Sequence, residues 1–141
     1  TGGPACTVVT DSPLLINELC GCAHLRVVST GGELDHQLNL LGGALAIETI
    51  GKLNFSDAFV SAGGASLQHG ATTAETEIVA TLRVAKARAA RTYLLVDAGK
   101  FLKVAPHTIA PLREFTAVIT DGGLAKNARA DLVAAGVNLL G

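Results

Sequence analysis

The sequence predicts an α/β protein with a mainly parallel sheet flanked by helices. Three observations carry that expectation. Short β-rich runs alternate with helix-like segments along the chain, the pattern of βαβ units. Apolar residues make up 49% of the 141 and charged residues 16%, a balance that fits a packed core rather than a disordered chain. Aromatic residues are only 4%, so the core falls to Val, Leu, Ile and Ala, which suit a sheet covered by helices.

Taken in order, "CTVVT" at 6–10 reads as the first strand. "DSPLLINELCG" follows as a helix, with Asp11 or Ser12 placed to cap it, Pro13 in its first turn and Gly21 at its exit. "LRVVST" (25–30) is the second strand and ends in a glycine turn, before a helix from Gly42 to Leu53. "DAFVSA" (57–62) is the third, and "GGASLQHGATT" leads into a long helix from near Thr73 to Arg91. "TYLLVD" (92–97) and "FTAVIT" (115–120) are the fourth and fifth. "GLAKNARADLVAAG" is a helix closing at Gly136, and "VNLL" a short terminal strand. Right-handed crossovers put the strand C-termini of such units on a common edge.

The five strands break off alike, at Thr10-Asp11-Ser12, Thr30-Gly31-Gly32-Glu33, Ala62-Gly63-Gly64, Asp97-Ala98-Gly99-Lys100 and Thr120-Asp121-Gly122-Gly123. Glycine admits close backbone approach, and helix N-termini favour anions. In open α/β sheets the ligand crevice lies outside these carboxyl ends. Turn formation explains any one ending; five of matching character predict a ligand-facing edge where the loops converge. Lys100 follows an apolar strand and can meet a phosphate or carboxylate as a point charge, or remain a solvated loop lysine. Asp97 and Asp121 can accept bonds from sugar hydroxyls, or cap turns. Glu77, in "GATTAETE", suits the first turn of the long helix, with Thr72 and Thr73 as caps; a base beside the crevice is its other reading. His69 is a titratable loop residue without a catalytic setting.

Several function classes drop out. With a net charge of −1 and no long basic tract, the chain has no broad attraction for nucleic acid. "RVAKARAAR" (83–91) spreads its charges over several sides of a helix and reads as a solvated face. Apolar stretches stop short of the roughly 20 residues that span a bilayer, and "TGGPACTVV" has no signal-peptide pattern, so no membrane partner and a cytoplasmic location are expected. Cys6, Cys20 and Cys22 are a poor disulfide framework, and His24 is the one further ligand candidate beside them, so no metal and no cofactor are expected. The usual P-loop, nucleophile-elbow and zinc-helix motifs are absent. Without methionine and beginning at Thr1, residues 1–141 read as one domain cut from a longer protein.

"TVVTDSPLLINEL", "VVSTGGELD", "FSDAFVSAGGASLQHGATTAETE", "YLLVDAGKF" and "AVITDGGL" together resemble the C-terminal effector domain of DeoR-type transcriptional regulators, over essentially the whole chain. That family shares a Rossmann-like fold with ribose-5-phosphate isomerase, glucosamine-6-phosphate deaminase and CoA transferases. The resemblance implies a sensor for a phosphorylated sugar or related metabolite that tunes DNA binding by an attached helix-turn-helix domain, in a homo-oligomer. Carried over by position, the ligand-binding candidates are Thr30, Gly31, Gly32, Glu33, Gly63, Gly64, Asp97, Lys100 and Asp121. The resemblance implies a runner-up too, an isomerase or deaminase with Glu77 as base and Lys100 as electrostatic support. Three departures are visible. The helix-turn-helix domain and the family's Asp-x-Gly-Thr-Thr phosphate loop lie outside this sequence, the family's usual Ser-Lys is Gly99-Lys100, and "TTAETE" replaces the usual residues before the acidic pair.

Overall fold

A computed structural model describes residues 3–141. The chain forms two compact units, Thr1–Leu53 and Asn54–Gly141.

The first unit opens with β1 (Cys6–Thr10), α1 (Pro13–Leu19) and β2 (Leu25–Ser29). β1 and β2 pair in parallel, with Val8 opposite Val27 and Thr10 opposite Ser29. Of the two capping candidates Ser12 takes the role, its Oγ accepting the Leu15 N–H at 3.2 Å, and Pro13 opens the helix. An antiparallel hairpin follows, β3 (Glu33–Asp35) and β4 (Leu40–Gly42), then α2 (Ala44–Gly51). The sequence alone predicts only a glycine turn here. Asp35 makes it a hairpin: its Oδ1 accepts the N–H groups of Gln37 and Leu38 at 2.9 and 3.0 Å and folds the chain back.

The second unit holds β5 (Phe55–Ser61), β6 (Gly64–Ser66), β7 (Gly70–Thr73), α3 (Thr76–Arg88) and β8 (Ala89–Leu95). A 3-10 turn at Ala98–Leu102, β9 (His107–Ala110), β10 (Ala117–Ile119), α4 (Lys126–Ala134) and β11 (Leu139–Leu140) complete it. β11, β10, β8 and β5, in that order, form a fully parallel sheet, while β6, β7 and β9 form a small antiparallel one. Helix α3 packs on β5, β8 and β9, and α4 on β11. Val60, Leu94 and Val118 stand in register across three strands and are buried together with Val79 of α3 and Leu132 of α4. Burying each such side chain contributes about 2 kcal/mol.

The long helix is shorter than expected at both ends. It starts at Thr76, because Thr72 and Thr73 are buried in β7, where Thr73 pairs with His107. It stops at Arg88, because Ala89–Arg91 join β8. There Asp57 faces Arg91 in register, and the guanidinium donates to both carboxylate oxygens at 2.8 and 3.1 Å. Sheet pairing thus overrides the helical preference of Ala and Arg. β8 accordingly spans 89–95 rather than 92–97, and β9 lies in a stretch where the sequence showed no strand.

Candidate functional site

In the first unit the ends of β1 and β2 close on their own backbone. Thr10 Oγ1 accepts the Ser12 N–H at 3.1 Å. The Thr30 N–H donates to the Thr10 carbonyl at 3.1 Å, and the buried Thr30 hydroxyl donates to the Gly31 carbonyl at 3.1 Å. Gly31 N–H donates to Ser29 Oγ at 3.0 Å. Gly31 and Gly32 have φ of +67° and +107°, the region that favours glycine. A Cβ at Gly32 would run into the Gly42 carbonyl, so the β3–β4 hairpin itself requires that residue, whereas a Cβ at Gly31 meets nothing within 4 Å. Glu33 is exposed at the start of β3, opposite Gly42. Burial pushes the Asp11 carboxyl above its ordinary value.

In the second unit the parallel ladder aligns the ends of β5, β8 and β10, with Ser61 opposite Leu95 and Leu95 opposite Ile119. The Gly63 N–H donates to the Thr72 carbonyl at 2.8 Å. Gly64 lies flush against the Lys103 carbonyl, and Thr72 Oγ1 accepts the Ala105 N–H at 2.9 Å. Gly64 therefore has a packing reason to be there, whereas a Cβ at Gly63 would meet only ordinary contacts. Asp121 Oδ1 accepts the Gly123 N–H at 3.0 Å and the Ala98 N–H at 3.4 Å, which brings the Asp97–Lys100 and Asp121–Gly123 turns together. Lys100 N–H donates to the Asp97 carbonyl at 3.0 Å. Its side chain is half-buried and, among the described residues, its ammonium makes no ion pair. Asp97 is exposed, and its Oδ1 stands 3.3 Å from where a Cβ at Gly99 would sit, so any larger residue there crowds the carboxylate.

Thr120 is the residue that sequence reasoning passed over. It is 7% exposed, and among the buried side-chain nitrogen and oxygen atoms of the described residues its Oγ1 lacks a hydrogen-bond partner. The signal was present in the repeated strand endings VVT, VST and VIT, but only the third leaves its hydroxyl free.

The other candidates have local explanations. Thr73 Oγ1 accepts the Glu75 N–H at 3.3 Å beside the α3 N-terminus, Thr72 does not cap, and Glu77 is exposed in the first helical turn, where it complements the helix dipole. His69 is exposed between β6 and β7, its N–H donating to Ser66 Oγ at 3.0 Å. The basic run is engaged within the second unit. Arg83 Nε donates to the Thr108 carbonyl at 3.0 Å, Arg88 to Asn54 at 2.8 Å, and Lys86 lies 5.8 Å from the Phe115 ring centroid. Among the described residues no cluster of His, Cys, Asp and Glu is placed to hold a metal, and no helix is long and apolar enough to cross a membrane.

Residues 2–122 match the family model described as the DeoR C terminal sensor domain. The chain belongs to that family. The DeoR sensor domain has the isomerase, deaminase and CoA transferase fold, in agreement with the parallel sheet and its flanking helices. It is similar to YgbI, an uncharacterized HTH-type transcriptional regulator of Escherichia coli (strain K12), at 33% identity over 95% of this chain and 52% of that protein. It is 32% identical to a lactose phosphotransferase system repressor of Staphylococcus epidermidis, over 82% of the chain and 46% of the repressor. It is 28% identical to an L-fucose operon activator of Haemophilus influenzae, over 86% and 49%. The chain spans about half the length of these relatives. All three are transcriptional regulators, in keeping with a sensor that performs no turnover, and the isomerase or deaminase alternative through Glu77 and Lys100 finds no support.

Proposed function

We propose that this DeoR sensor domain binds a phosphorylated sugar or related carbohydrate metabolite at its strand-end turns. Occupancy then modulates DNA binding by a helix-turn-helix domain of the whole regulator, acting as a homo-oligomer in the cytoplasm. The observation that carries the reading is the Asp121–Ala98 bond, which joins two glycine turns, one of them bearing half-buried Lys100, whose ammonium makes no ion pair among the described residues. Lys100 supplies a point charge for a phosphate, and Asp97 and Asp121 accept bonds from sugar hydroxyls. Gly63 and Gly64 hold the neighbouring turn in place. In the first unit, Thr30 and Gly32 shape the turn from which Gly31 offers close backbone approach and Glu33 a carboxylate. The printed roles of two relatives, in a lactose phosphotransferase system and an L-fucose operon, support a carbohydrate effector. The effector acts through differential affinity for two states of the regulator.

Thermal shift against ribose 5-phosphate, glucose 6-phosphate, glucosamine 6-phosphate and the neutral sugars tests this, since binding to the native state alone raises the melting temperature. Lys100→Ala is expected to weaken the phosphorylated ligands more than the neutral ones. Equal loss for both contradicts the role given to the lysine, and turnover of any of these compounds overturns the sensor reading.

A further inference from the structure

Among the described residues, buried Thr120 has a hydroxyl with no hydrogen-bond partner. Its N–H donates to the Leu140 carbonyl at 2.9 Å, so its backbone belongs to the parallel ladder beyond β10. Two-residue alternation puts its side chain on the face of Val118, the face that meets Leu94 and the core. It thus stands at the C-terminal limit of the core face, one residue before Asp121, whose Oδ1 ties down the Ala98 turn. A buried hydroxyl without a partner is costly and rare in a native protein, and calls for a specific reason. Local geometry is not that reason. Thr10 and Thr30, at the ends of two other parallel strands and also buried, both engage backbone groups within two residues.

We propose that the Thr120 hydroxyl is a ligand-binding group that forms a hydrogen bond with a hydroxyl of the bound carbohydrate. The assignment rests on the sugar-phosphate reading above and adds to it a division of labour. Lys100 holds the anionic end, while Thr120 reads the polyol part. An inorganic phosphate ion engages the lysine and leaves the threonine unused. The ligand-free protein therefore carries the cost of an unpaired hydroxyl, and the complex removes it.

That cost gives a test with effects of opposite sign. In Thr120→Val, a nearly isosteric change, the ligand-free protein is expected to melt at or above the temperature of the unmutated protein. Its affinity for the best sugar phosphate of the panel is expected to fall about ten-fold, the loss of one buried hydrogen bond. Inorganic phosphate is expected to bind both proteins equally. Thr120→Ser, which keeps the hydroxyl, retains sugar-phosphate affinity. A valine variant that melts lower or fails to fold shows a hydroxyl already satisfied without ligand, and overturns the assignment. Unchanged sugar-phosphate affinity in that variant overturns it too, while leaving the sugar-phosphate reading intact. If no sugar phosphate in the panel binds the unmutated protein, that reading fails first, and Thr120 has nothing to hold.

Discussion

Thr30 and Thr120 end parallel strands in the same way, each more than nine-tenths buried and each followed by a glycine-rich turn with an acidic residue. Thr30 bonds to the next residue's carbonyl, and the turn behind it is locked by Gly32 against Gly42. The Thr120 hydroxyl bonds to nothing among the described residues, and the turn behind it is held from outside, by Asp121 reaching to Ala98. The difference teaches that one sequence pattern serves two purposes. In the first unit it satisfies the threonine hydroxyl within the turn, and in the second it leaves that hydroxyl unpartnered among the described residues, the group proposed above to meet the ligand.

The largest expected effect lies on the closed side. Gly32→Ala forces a side chain into left-handed backbone and against a carbonyl, and is expected to cost about 3 kcal/mol in urea unfolding. Gly63→Ala, with its nearest neighbour at an ordinary 3.7 Å, is expected to cost under about 1 kcal/mol. A similar loss for both would show that the glycines do not differ in kind. Next comes the threonine pair. Thr30→Val removes a satisfied hydroxyl and is expected to lower stability by about 1 kcal/mol, while Thr120→Val does not lower it. Parallel losses would erase the contrast.

Acid dependence sharpens the comparison further. Burial raises the folded Asp11 carboxyl above its unfolded value of about 4, so Asp11 favours the fold below that pH and this contribution is lost as pH rises through the folded pKa. Asp11→Asn is expected to flatten that decline in thermal melts, and an unchanged profile contradicts the burial. The smallest effect is opposite in sign. The bond from Arg91 holds the half-buried Asp57 carboxyl below its ordinary range, so its contribution is whole above about pH 4 and fades as pH falls through the lower folded value. Arg91→Gln is expected to remove only that acid-side loss; no change there means the pair contributes nothing.

Much of the fold was legible because parallel strands announce themselves. "CTVVT", "LRVVST" and "FTAVIT" are short β-branched runs, and Ser12, Pro13 and Gly136 mark helix ends by local chemistry. The hairpins were not legible, because β3, β4 and β6 are three-residue strands and β7 only four, too short to show a period. The ends of α3 were misplaced because only the partners of Thr73 and Arg91, distant in sequence, decide them. Of the candidate site, the glycine turns that hold Asp97, Lys100 and Asp121 at the strand ends could be read from the sequence. That Gly32 and Gly64 answer to neighbouring carbonyls could not, since the first contact depends on the short β3–β4 hairpin and the second on the distant Lys103.

The most direct measurement is an amide NMR titration with the sugar phosphate that raises the melting temperature most. The expected result is saturable shifts at Ala98, Gly99 and Lys100 and at Thr120 through Gly123. Shifts confined to α4 and β11, with those amides unmoved, would contradict the claim that the strand ends bind the effector.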